Sequence, residues 1–132
     1  MTGVTRPRVL LADDHAGILG ALQRLLRHSC EIVGQVTLGG VVLEAVMTLK
    51  PDVVVMDIAM PGLTGLEACR QIKDAMQQVK VIIMTASINE DLKQGAFEAG
   101  ASAFLSKSLM AENLLDAIHT VLSSREPNAA GR

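Results

Sequence analysis

Aromatic side chains are almost missing from this chain: two Phe, no Trp and no Tyr in 132 residues. Its core must therefore be aliphatic and filled out by methionine, with Met47, Met56, Met76 and Met84 as adaptable packing residues. Cysteine is nearly as scarce. Cys30 and Cys69 are far apart, with no C-x-x-C motif and no histidine at metal-ligand spacing, so reduced structural thiols are expected. Lys and Arg form no cluster and the net charge is −2, which excludes the basic surface that direct nucleic-acid binding needs. No apolar run approaches the roughly 20 residues of a membrane span, and the N-terminus lacks a signal core. A cytoplasmic protein with no membrane contact is expected.

What remains is ordinary for one folded domain: 49% hydrophobic and 20% charged residues, long enough to bury a core without staples. Apolar strand-like runs alternate with amphipathic segments along the chain. Residues 9–12 read as a strand, and Ile18, Leu19, Leu22, Leu25 and Leu26 then share one helical face. Residues 31–37 read as a second strand with Ile32, Gly34 and Val36 opposite Val33 and Gln35. Val42, Val46 and Leu49 give a second helical stripe that Pro51 ends. Residues 53–57 (Val-Val-Val-Met-Asp) form a third strand, apolar enough to be buried on both faces of a parallel sheet.

Thr64-Gly65-Leu66-Glu67 is a capping-box pattern opening a third helix, and Ser87-Ile88-Asn89-Glu90 reads as a second box opening the fourth. Residues 79–84 and 103–105 supply strands four and five. Gly95 weakens the fourth helix by about 1 kcal/mol relative to Ala, and Gly100 can terminate it. Leu114, Leu115, Ile118, Val121 and Leu122 mark the last helix. Five β–α units without a repeat predict an α/β fold with a parallel sheet, right-handed crossovers and helices on both faces.

In such a sheet every strand's carboxyl end lies on one edge, where open α/β folds hold ligands. Those ends carry Asp13 and Asp14, Asp57, Thr85 and Lys107. Crowded carboxylates repel unless a cation neutralises them, and hard oxygen donors suit Mg²⁺. The ammonium and hydroxyl are apt partners for phosphoryl oxygens. His15 follows the two acids and is expected to face solvent, because Mg²⁺ prefers oxygen. His28 and His119 read as surface positions.

Residues 10–15 (LLADDH), 51–62 (PDVVVMDIAMPG) with Gly65, 84–86 (MTA) and 99–107 (AGASAFLSK) together resemble the receiver domain of bacterial two-component response regulators. The likeness runs from about residue 8 to 124, leaving 1–7 as an arm and 125–132 as a tail or the start of a linker. It implies a single-domain (βα)5 flavodoxin-like sheet of order 2-1-3-4-5. It also implies that Asp57 accepts a phosphoryl group from a sensor histidine kinase. Asp14, Asp57 and the Ala59 backbone carbonyl would hold Mg²⁺ (Mn²⁺ as a substitute), with Asp13 acting through water. Lys107 and Thr85 would contact the phosphoryl group. Thr85 would be the switch, and inward rotation of Phe104 would report its movement to the face of helix four, strand five and helix five. Ala59 and Ser87 would tune the lifetime of the phosphorylated state.

Most receivers follow the lysine with proline; here Ser108 follows, and a cis bond without proline would cost about 2.5–4 kcal/mol, so a trans bond is expected. This departure resembles the NarL/FixJ group, whose members add a C-terminal helix-turn-helix. An excised receiver is therefore expected, with transcriptional output and DNA contact through a domain outside this chain and homodimerisation on phosphorylation; a stand-alone receiver is the alternative. No turnover enzyme is expected. A haloacid-dehalogenase-type phosphatase needs a second acid two residues after the nucleophile, where Ala59 stands. A flavin carrier needs a hydroxyl-rich phosphate loop and aromatics. A degenerate interaction module would not keep the full acidic set with Thr85 and Lys107.

Overall fold

The computed structural model describes residues 6–123. The expected tail, and the arm apart from Arg6 and Pro7, lie outside them. Five parallel strands, β1 (Arg8–Ala12), β2 (Glu31–Val36), β3 (Val53–Asp57), β4 (Lys80–Thr85) and β5 (Ala103–Ser106), form one sheet in the order β2-β1-β3-β4-β5. The helices are α1 (Ala16–Leu26), α2 (Val42–Leu49), α3 (Gly65–Ala75), α4 (Glu90–Glu98) and α5 (Met110–Ser123). Among these described elements the expected α/β order holds throughout.

The sheet divides the core in two. On one face Val9, Leu11, Val53, Val55, Ile82 and Met84 meet the inward stripes of α1 and α5, namely Leu19, Leu22, Leu26, Leu114, Ile118 and Val121. On the other, Leu10, Val54, Met56, Val81 and Ile83 meet Val42 and Val46 of α2, Cys69 and Ile72 of α3, and Ala96 of α4. β3 is buried at every position, as its apolar run predicts.

The period-2 reading of β2 breaks at Val33. A register shift between Val9 and Leu10 pairs Val9 with Ile32 but Leu10 with Gly34, so β2 carries one extra residue. Ile32 thereby packs toward α1 and α5, while Val36 packs in the opposite core. An alternation counted straight through residues 32, 34 and 36 is thus corrected by a bulge.

The start of α4 is also corrected. Its cap is Asn89, whose side chain accepts from the amides of Asp91 and Leu92, and the helix begins at Glu90. Ser87 is not a helix cap, because its backbone is engaged by Thr85. The Thr64–Glu67 box forms as expected, with both reciprocal bonds present. Gly100, at φ +106°, follows the end of α4. α2 ends at Leu49, two residues before Pro51, and its cap Lys50 takes a left-handed conformation at φ 52°.

At the amino-terminal edge of the sheet, Arg8 gathers four elements. Its amide donates to Asp52 (2.8 Å), its guanidinium donates to the Leu49 carbonyl (2.6 Å), and it pairs with Glu31 at 3.4 Å. No described helix is long and apolar enough to cross a membrane.

Candidate functional site

The opposite, carboxyl edge collects the acids. Asp57 is the last residue of β3, where the strand leaves the core, and stays 3% exposed. Asp13 follows β1, is 0% exposed, and its amide donates to the Val36 carbonyl (3.0 Å). Asp14, beside it, faces solvent more openly. Burying carboxylates costs several kcal/mol unless they are paired. The partner is Lys107: its Nζ lies 2.8 Å from Asp13 Oδ2 and 3.1 Å from Asp57 Oδ2.

Lys107 is aimed by a short 3-10 turn, Lys107–Leu109, capped by Ser106, whose Oγ accepts from the Ser108 amide at 3.2 Å. The Ser-Lys-Ser spacing is the sequence signal of that turn. The described peptide bonds are all trans, Lys107–Ser108 included, as expected without proline. Burial is the largest influence on the Lys107 ammonium and lowers its pKa. The hydrogen bonds and charges of Asp13 and Asp57 act together in the other direction and hold it above the ordinary lysine value.

The loop after Asp57 is held tightly. The Ala59 amide donates back to Asp57 Oδ1 at 3.1 Å, fixing the carboxylate's second oxygen. The Gly65 amide donates to the Ile58 carbonyl, and a Cβ on Gly65 would sit 2.6 Å from the Asp57 carbonyl oxygen. Only glycine fits that approach. A Cβ on Gly39 would likewise fall 1.8 Å from the Leu63 carbonyl oxygen, so the loop entering α2 seats directly on this one.

Thr85 ends β4 beside Asp57 and is buried. Its hydroxyl donates to the Ser87 carbonyl (2.9 Å) and accepts from the Ser87 amide (3.2 Å). Phe104 is 9% exposed and belongs to the core under α2, α3 and α4, on the same face as its register partner Ile83. Its ring is already in, so an inward swing from an exposed position does not describe this conformation. Ala59 and Ser87 are exposed at the rim.

His15 faces solvent at the start of α1, as expected (66% exposed for the side chain). Its Nδ1 lies 3.2 Å from Asp13 Oδ1 and 3.2 Å from Asp14 Oδ1. Side-chain direction at a helix start is not written in residue spacing. Donor atoms of Asp13, Asp14, His15 and Asp57 all lie within 4.8 Å of one another.

Three carboxylates against one ammonium leave a formal excess of negative charge. Asp13 Oδ2, wholly buried, has the Lys107 ammonium at 2.8 Å as its partner. An oxygen-rich, electron-rich pocket with one buried and one open flank fits a hard divalent cation. The arrangement can therefore hold a cation among the carboxylates and an anion beside Lys107.

Comparison with known proteins agrees with this geometry. A family model described as the response regulator receiver domain matches residues 9–119. The response regulator GacA of Pseudomonas aeruginosa is 32% identical over 120 residues, covering 89% of this chain and 56% of GacA. The transcriptional regulatory protein DesR of Bacillus subtilis is 38% identical over 119 residues, covering 89% of this chain and 59% of DesR. The chain thus spans less than three-fifths of the length of these two relatives. A two-component response regulator of the LuxR family from Aurantimonas sp. SI85-9A1 superposes with a TM-score of 0.87 at 30% identity, over 96% of this chain and 94% of that one.

Proposed function

The chain belongs to the response regulator receiver family, and on that premise we propose that it is a phosphorylation-controlled switch with Asp57 as phosphoacceptor. One observation carries the proposal: a nearly buried Asp57 carboxylate, 3.1 Å from the Lys107 ammonium, within reach of Asp13 and Asp14. An Asp57 oxygen attacks phosphorus, the bond from phosphorus to the donor's nitrogen or acyl oxygen breaks, and the electron pair leaves with the donor. Lys107 neutralises charge on the transferred group. Asp13, Asp14, Asp57 and the Ala59 carbonyl are the proposed holders of Mg²⁺ or Mn²⁺, which supplies the remaining charge neutralisation when bound.

The added phosphoryl oxygens offer the Thr85 hydroxyl an acceptor in place of the Ser87 carbonyl. Leaving Ser87 breaks two hydrogen bonds, each worth about 1 kcal/mol net, so one charge-assisted bond is enough to shift the balance. Phe104, packed on the same face, transmits that change from a buried position. Around it Ile88, Leu92, Phe97 and Leu109 are exposed on and beside α4 and at the turn into α5, which supports this face as an output or homodimer surface. Ala59 and Ser87 at the rim are the proposed tuners of hydrolysis. Ala59 offers no general acid, which favours a reversible switch over a turnover phosphatase. A sensor histidine kinase is the proposed donor in the cytoplasm. Transcriptional control through a DNA-binding domain is the proposed output, since DesR is a transcriptional regulatory protein.

The test is incubation with Mg²⁺ and a small acyl-phosphate donor, read by intact mass. A single phosphoryl adduct that disappears in Asp57→Asn, with that variant still folded, is expected. An adduct that survives the substitution, or none at any Mg²⁺ concentration, overturns the proposal.

A further inference from the structure

Lys107 reaches two acids that belong to two other strands, Asp13 beyond β1 and Asp57 at the end of β3. A lysine side chain has much rotamer freedom to lose, so its aim depends on how firmly its own backbone is held. Ser106 and Ser108 flank it. The Ser106 hydroxyl accepts from the Ser108 amide at 3.2 Å, and the two serine hydroxyls lie 2.8 Å apart. The Ser106 side chain thus spans Lys107 and clips the chain on both sides of it. From the far side, the Met110 amide donates to the Lys107 carbonyl and closes the turn. Ser106 is also the register partner of Thr85, so the strand end that carries Lys107 is set directly beside Thr85. Because the Ser106 hydroxyl is engaged with Ser108, its route to the acids runs through the Lys107 backbone.

We propose that Ser106 is a positioning residue for phosphoryl transfer: by clipping the Ser108 amide it holds the Lys107 backbone where the ammonium is delivered to Asp13 and Asp57. The inference rests on Asp57 as phosphoacceptor and adds to it the residue that aims its charge partner. The transfer itself is unchanged. An Asp57 oxygen bonds to phosphorus while the donor's oxygen leaves with its electron pair, and Ser106 takes part in neither bond. Electrostatic help to a transferring group depends on preorganised placement, so a misplaced ammonium contributes less. Without the Ser106 hydroxyl, Lys107 keeps its charge but spreads over more rotamers, and the carboxylates stay as they are.

The rate of phosphorylation by acetyl phosphate with Mg²⁺, timed by intact mass, tests the idea. The parent is compared with Ser106→Ala, Ser106→Thr, Lys107→Met and the double variant S106A/K107M, with thermal melts to verify folding. Ser106→Ala is expected to slow adduct formation about fivefold, the worth of one hydrogen bond felt in full at the transition state. Ser106→Thr keeps a capping oxygen and is expected to stay within about twofold of the parent. On top of Lys107→Met, Ser106→Ala is expected to change nothing, because no ammonium is left to aim. Equal rates in the parent and Ser106→Ala, a failure of Ser106→Thr to restore the rate, or the same loss with and without Lys107 overturns the inference; the clip would then serve only to start α5. If Lys107→Met is unfolded or inert, the comparison of Ser106→Ala with Ser106→Thr decides alone. A parent chain that takes no adduct refutes Asp57 as phosphoacceptor and this inference with it. An adduct lost in Asp57→Asn but formed at the parent rate in Ser106→Ala refutes the inference alone.

Discussion

Replacing Lys107 with Met removes the ammonium while keeping most of the side chain's bulk, and it strands two carboxylates. Asp13 and Asp57 are 0% and 3% exposed, and each loses an ion pair, at 2.8 and 3.1 Å. Removing one partner of a buried pair costs about 3–5 kcal/mol, because the other charge stays behind in a poorly solvated place. Lys107 keeps 13% side-chain exposure and the pocket is open on the Asp14 flank, so water relieves part of this. A loss near the lower bound, about 3 kcal/mol, is expected, or roughly 10–15 °C in Tm for a domain of this size.

The assay is urea unfolding followed by far-UV circular dichroism, since the chain has no Trp or Tyr to report by fluorescence. Two further arms discriminate. Saturating Mg²⁺ should recover more stability in Lys107→Met than in the parent, because a cation can replace the lost charge. The second arm is pH. The folded-state pKa of Lys107 lies above its ordinary value of 10.5, so its contribution is fully present below 10.5 and is lost as pH climbs through the raised value. The gap between parent and variant should therefore stay constant through neutral pH and close only in strong alkali. A gap under about 0.5 kcal/mol at pH 7 without Mg²⁺, within ordinary surface-mutation scatter, would refute the claim that Lys107 holds the acids together.

Glycine substitutions should split by surroundings. Gly65→Ala places a methyl 2.6 Å from the Asp57 carbonyl oxygen and is expected to lose more than 2 kcal/mol, on the order of other overpacking changes, and to impair phosphorylation measured by intact mass. Gly95→Ala meets only Leu66 Cδ1, at an ordinary 3.6 Å, and should stabilise α4 by about 0.5–1 kcal/mol in the same unfolding assay. The Cys69 thiol, pushed up to about 11 by burial, should resist iodoacetamide at pH 8 in the native state and react once the chain is unfolded in urea, as followed by mass.

Asp13, Asp14, Asp57 and Lys107 were legible in the sequence because a polar residue ending an apolar strand has one physical place to go in a parallel sheet. The Thr64 cap was legible because its two bonds are local in sequence. What escaped was set by competition or by direction. Ser87 is the cap expected for α4, but Asn89 takes the role while Thr85 engages the Ser87 backbone. The bulge at Val33 inverted the facing of Ile32, which no count of alternation could reveal. The contacts of His15 with the two acids needed the direction of a side chain at a helix start. Phe104 was placed correctly on its strand, but the state of its ring depends on how α4 packs over it.

Arg8 has a consequence at the other end of the molecule. By fastening β1, β2, the end of α2 and the start of β3 at the edge away from the acids, it gives the domain a fixed end and a working end. That clasp opposes sliding of β1 against β2 and against the segment entering β3. At that edge the sheet is a handle, and Asp13, Asp57 and Lys107 stand at the opposite tip.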